Sequence, residues 1–188
     1  MKKRSIALLL LLVLLTGCGA KTEEAPWQTA YRETGKYLQE QDTLSAGSVG
    51  GEWAVIGLSR TGLLSDETAQ SYEQTVEDYV KQAGSVRLHH AKSTENSRTI
   101  LGLTAAGYNA ANVAGVDLTA GLTDMAYLRA QGTNGPIWAL IALDCHGYDI
   151  PQCADGEEQT TREGLVAEIL SYQCSDGGWA LMGDESDV

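Results

Sequence analysis

Few residues in this chain have the type and spacing to do chemistry. Asp144-Cys145-His146 brings together three side chains of metal-binding type. On a helix, consecutive side chains point about 100° apart and cannot converge on one ion, so no metal site is expected there. Cys145 reads instead as a small apolar filler. His89-His90 lies in a polar stretch and reads as solvated. The sequence shows no Ser-His-Asp nucleophile signature and no phosphate-cradling glycine loop. Cys18 is different. It follows Leu15-Thr16-Gly17, after an apolar run from Ile6 to Leu15 that itself follows Lys2-Lys3-Arg4. Cations, a short apolar helix and small residues before a cysteine make a secretory signal with a lipobox, whose thiol takes a diacylglyceryl group. The run is well short of the roughly 20 apolar residues that span a bilayer.

Residues 1–17 are thus expected to be a lipoprotein signal peptide, 18–26 a lipidated cysteine with a short tether, and 27–188 one domain. The signal holds three of the 13 basic residues and none of the 25 acidic ones, which leaves ten against 25. Such acidity repels phosphate backbones and anionic headgroups. Nucleic acid is excluded as a partner, and the lipid on Cys18 rather than surface charge must hold the chain at the extracytoplasmic face of a bacterial membrane. A hydrophobic content of 43% argues against disorder. Cys145, Cys153 and Cys174 would lie in a compartment that permits disulfides, with Cys145 and Cys153 the nearest pair and at least one thiol left over.

The elements that would position these groups repeat. Trp53-Ala-Val-Ile-Gly-Leu-Ser-Arg-Thr-Gly62-Leu63, Arg98-Thr-Ile-Leu-Gly-Leu-Thr-Ala-Ala-Gly107-Tyr108 and Trp138-Ala-Leu-Ile-Ala-Leu-Asp-Cys-His-Gly147-Tyr148 align without gaps. Each predicts a helix apolar on nearly every side, with small Gly57, Gly102 and Ala142, that closes on a left-handed glycine followed by an apolar residue. Amphipathic helices alternate with these, so outer helices 27–40, 67–83 and 119–130 pair with inner helices 52–62, 97–107 and 136–147. A last outer helix, 162–173, is expected to open on a Thr160–Glu163 capping box. It lacks an inner partner within the chain. The pattern predicts an all-α array of helical hairpins, closed into an incomplete ring or open as a solenoid.

Leu170-Ser-Tyr-Gln173-Cys-Ser-Asp-Gly-Gly178-Trp179, with a degenerate copy from Gln131 to Trp138, resembles the Gln-Trp motif of squalene and oxidosqualene cyclases. By that motif the segment 50–188 is similar to the terpenoid cyclase and protein prenyltransferase α/α-toroid superfamily. The resemblance implies a structural role for Gln173, Gly178 and Trp179: the glutamine bonds to backbone at a helix end and the tryptophan stacks beside it. Cyclases of this kind protonate an alkene with an Asp-x-Asp-Asp motif. Asp187-Val188 would supply only its first two residues, so the chain as it stands lacks the acid and reads as non-catalytic; Asp184 and Asp187 also suit a plain helix start. A fragment of a cyclase-like enzyme, or a structural or adhesion module of the envelope, is the competing reading. Other phrases, such as Asn134-Gly-Pro-Ile-Trp-Ala-Leu-Ile-Ala-Leu-Asp144, resemble secreted bacterial surface proteins carrying this toroid. A cobalamin-like or isoprenoid ligand follows by analogy of fold alone, and no cofactor is predicted.

In such a ring, one mouth would be lined by the starts of the inner helices. Trp53, Glu95, Arg98 and Trp138 fall there. They suit a ligand mouth of aromatic faces with one guanidinium. They suit equally well tryptophans that merely pack between hairpins and an Arg98–Glu95 pair that is only local.

Overall fold

The computed structural model describes residues 24–41 and 44–182. The signal segment, Cys18, Asp184 and Asp187 lie outside the described residues. The chain divides into two units, Met1–Glu33 and Thr34–Val188. Among the described residues there are seven α-helices, one 3-10 helix and no β-strand, so the chain is all-helical. They are α1 (Pro26–Gln39), α2 (Val49–Thr61), α3 (Asp66–Ala83), α4 (Ser93–Ala105), the 3-10 helix Leu118–Leu122, α5 (Met125–Arg129), α6 (Asn134–Asp144) and α7 (Arg162–Ser171). In the first unit the start of α1 is tied down by Ala25 N donating to Gln28 Oε1 at 2.8 Å and by an Arg32–Glu24 ion pair.

The second unit is built on α4, which packs against both α2 and α6, while α6 packs against α7. Val55 and Leu58 of α2, Ile100 and Leu103 of α4, and Ala139, Ala142 and Leu143 of α6 are wholly buried. Helix α3 buries only one face, Tyr72, Val76 and Val80, and keeps its charges outside, as its 3.6-residue spacing requires. Each of α2, α4 and α6 is followed by a glycine at positive φ, Gly62 at 70°, Gly107 at 88° and Gly147 at 65°. The next residue then donates back to the last turn: Leu63 N to Leu58 O at 2.9 Å, Tyr108 N to Leu103 O at 2.9 Å, and Tyr148 N to Leu143 O at 2.8 Å. A residue with a Cβ would be strained at these left-handed positions, which is why the sequence repeats glycine there.

Three expectations are corrected. The helix expected over 119–130 is broken into the 3-10 helix and α5. Asp124 interrupts it, accepting from Ala126 N at 3.1 Å as the cap of α5. Backbone on either side turns instead to the 158–160 segment, through Met125 N to Glu158 O at 2.8 Å and Thr160 N to Thr123 O at 2.7 Å. The apolar side of this region is covered as expected, with Leu118, Leu122, Met125, Tyr127 and Leu128 buried, while Ala126 and Ala130 are exposed. Secondly, α7 is capped by Thr161, which accepts from Gly164 N at 2.9 Å, and not by Thr160, whose hydroxyl is buried without a partner. Thirdly, Cys145, Cys153 and Cys174 are all free thiols. The Tyr148 side chain is anchored near Thr104 and Ala110, and Arg162 holds the Tyr148 carbonyl at 2.7 Å. Cys153 sits in its own loop, its N–H bonded to Gln159 Oε1 at 2.8 Å, so nothing draws it to Cys145.

Candidate functional site

The first turns of α2 and α4 each carry a carboxylate, Glu52 and Glu95, at helix ends where negative charge is favoured. Arg98, one turn along α4, joins them. Its Nε donates to Glu52 Oε2 at 3.1 Å and its Nη2 to Glu95 Oε2 at 2.6 Å. The Glu52 side chain is fully buried, while Glu95 and Arg98 are each 14% exposed. The other Glu52 oxygen accepts from Gly47 N at 2.7 Å. Burial raises the Glu52 pKa, and the Gly47 N–H and the guanidinium oppose that rise.

Behind this network lies Tyr72, wholly buried, its hydroxyl without a hydrogen-bond partner. Burial first, and the negative charge of Glu52 second, push that phenol far up, so it stays neutral. The Tyr72 hydroxyl occupies the space where a Cβ of residue 102 would stand, which is why α4 carries Gly102. Tyr79 lines the same side. Burial raises its pKa, with Glu95 and Glu52 adding to the effect.

The two tryptophans form a pair of their own. Trp53 from α2 and Trp138 from α6 meet with ring centroids 5.4 Å apart and planes tilted by 57°. Trp53 remains 41% exposed. The four predicted site residues form two pairs: the tryptophans pack on each other, and Arg98 pairs with Glu95. What sequence reasoning missed is Glu52. The only signal was a single carboxylate in an otherwise apolar helix, and an acid in a first turn is too ordinary to single out. The arrangement has the parts of a binding surface: two part-open aromatic faces, one of them on the helix whose start is joined to α4 by a rigid, charge-compensated base.

The remaining predicted groups lie elsewhere. Gln173 Nε2 donates to Gly177 O at 3.4 Å within its own tight loop, and Trp179 Nε1 donates to Ile169 O at 2.9 Å near the end of α7. Gly178 closes that loop through its carbonyl, which accepts from Cys174 N at 2.8 Å. Gln131, from the degenerate copy, is the glutamine that serves a helix start: its Oε1 accepts from Thr94 N at 2.9 Å and from Ser93 Oγ at 3.1 Å, satisfying the opening of α4. Asp144 pairs with Arg162 at 2.7 Å, Cys145 Sγ donates to Ala142 O at 3.1 Å and His146 packs on Tyr148. His89 and His90 stack on one another in their loop. No helix among the described residues is long and apolar enough to cross a membrane. Comparison of the chain with profiles of known families, with curated proteins and with solved structures finds no match.

Proposed function

We propose that this chain is a lipid-anchored protein of the extracytoplasmic face of a bacterial membrane, whose helical hairpins follow the α/α-toroid plan and bind a ligand without catalysis. The observation that carries the proposal is the Trp53–Trp138 pair, part-exposed and 5.4 Å apart, with Trp53 next in sequence to the Glu52 of the Glu52–Arg98–Glu95 network. Indole rings that only filled a core would be covered. The neighbouring Glu52 is buried and bonded to Gly47 N and Arg98, which fixes the turn of α2 that carries Trp53, while Trp53 keeps 41% of its surface open. The base itself has no group poised for acid or nucleophilic work, because both Glu52 oxygens and the guanidinium are engaged with one another or with backbone.

The toroid reading draws support from the row of α2, α4 and α6, which pack side by side, share one kind of C-terminal closure and each contribute wholly buried residues to the core. The lipid anchor rests on the sequence from Lys2 to Cys18.

The test is native mass spectrometry of the full chain purified from its membrane. A small molecule is expected to copurify and to be lost on Trp53→Ala or Trp138→Ala. The fold should survive either change, since ring pairing contributes only about 0.5–1.5 kcal/mol beyond buried area. Absence of any bound molecule, or retention in both variants, refutes the site.

A further inference from the structure

We infer that the opposite end of the same helices holds a second site, a cleft that takes a small monocarboxylate with an apolar chain and binds its charge through Arg60. The inference does not depend on a ligand at the tryptophans. The cleft, about 190 Å³, lies between α2 and α4 with Cys145 beyond α6 at its edge. It falls below the roughly 300–1,000 Å³ of pockets for drug-sized ligands, so its occupant is smaller. Ile56, Leu101 and Ala105 give it apolar walls, and Ser59 and Arg60 give it one polar side. The Thr104 hydroxyl, also at the cleft, is already engaged with Ile100 O and Tyr148 OH, each at 2.8 Å. Burial raises the Cys145 pKa, which keeps that wall uncharged.

Arg60 defines the charge of the ligand. Among the described residues Arg32, Arg87, Arg98, Arg129 and Arg162 all pair with carboxylates. Arg60 has no such partner among the described residues of this acidic chain. Its place in the last turn of α2 lets its charge offset the helix's negative end, but that interaction does not occupy the guanidinium N–H fork, which matches a carboxylate. The chain's overall negative charge opposes anions at a distance. Beyond about 10 Å at 0.1 M salt that repulsion is screened, and the local guanidinium decides. Ile56 and Arg60 are separated by about 6 Å of helix rise, so an extended chain of about five methylenes reaches from the apolar wall to the cation.

Hexanoate is the probe, and Cys145 is the reporter, with Cys153 and Cys174 as internal references. The purified full chain is alkylated with iodoacetamide in the presence and absence of hexanoate, and each cysteine is read by mass spectrometry. Hexanoate is expected to slow Cys145 alkylation several-fold while leaving Cys153 and Cys174 unchanged. Hexanamide, of the same shape without charge, should protect far less. Arg60 is exposed, so Arg60→Gln should fold normally and lose the protection, and Arg60→Lys should keep part of it. The proposal is overturned if hexanoate leaves Cys145 as reactive as before, if hexanamide protects as strongly, or if Arg60→Gln is protected like the wild type.

Discussion

Glu52 and Arg98 depend on each other in unequal degree. Removing Arg98 leaves a wholly buried carboxylate without its counter-charge, which costs about 3–5 kcal/mol; Arg98→Ala should lower the urea midpoint accordingly. Glu52→Gln keeps an oxygen for Gly47 N and should cost less. The two also differ in pH dependence. Burial lifts the Glu52 pKa above its ordinary 4.5. A group so shifted contributes stability in full below the unfolded value and loses that contribution as pH rises through the folded value. As pH rises above the ordinary 4.5, Glu52→Gln should therefore flatten the fall in stability seen in the wild type, and an unchanged slope in urea titrations would show that Glu52 is not its source. Gly102 and Tyr72 form a second coupled pair. Gly102→Ala should destabilise by about 1–3 kcal/mol through collision with the Tyr72 hydroxyl, and Tyr72→Phe should recover much of that loss, because it deletes a hydroxyl that has no partner to lose. Additive effects in the double-mutant cycle would mean the two residues do not touch.

Caps and interruptions set where the helices begin and end. Two adjacent threonines precede α7, and only the second bonds to it. Thr161→Ala should cost about 1 kcal/mol, as loss of a side-chain cap does, whereas Thr160→Val removes an unbonded buried hydroxyl and should be neutral or mildly stabilising. Thermal unfolding of the two variants separates them, and the reverse order would assign the cap to Thr160. The break at Asp124 follows the same logic. Its carboxylate caps α5 through one oxygen and accepts from Arg87 Nη2 at 3.0 Å through the other, so a helix continuing through this position would give up both. Asn96 does comparable work from within α4. It accepts from Leu88 N at 2.9 Å and donates to Leu118 O at 3.0 Å, fastening two connecting segments to the central helix.

For the whole molecule, the proposed anchor is covalent and the surface is strongly acidic, and these have different consequences. Membrane attachment through an acyl chain does not weaken with salt, whereas electrostatic attachment does. The wild-type chain should stay with the membrane fraction in concentrated salt and incorporate an alkyne-tagged fatty acid. Cys18→Ser should do neither. Labelling of Cys18→Ser at the wild-type level would remove the lipobox from the account.

Periodicity and glycine placement sufficed for much of the architecture. The all-helical class, the burial of one side of the stretches after Trp53, Arg98 and Trp138, and the left-handed Gly62, Gly107 and Gly147 were legible because each follows from a local rule of backbone sterics or apolar spacing, whereas Ile141, expected inside, is 44% exposed. The meeting of Trp53 with Trp138 was legible too, from their equivalent places in the aligned segments. What one chain segment does to another was not. Asp124 breaks a helix of good amphipathic pattern because Arg87 and the 158–160 segment, distant in sequence, bind it there. Glu52 becomes the buried centre of the site because Gly47 N and Arg98 converge on it. Arg60 stays without a carboxylate partner among the described residues because none of their acids is folded within its reach. Such outcomes depend on which groups meet across the fold, and only the tertiary structure decides that.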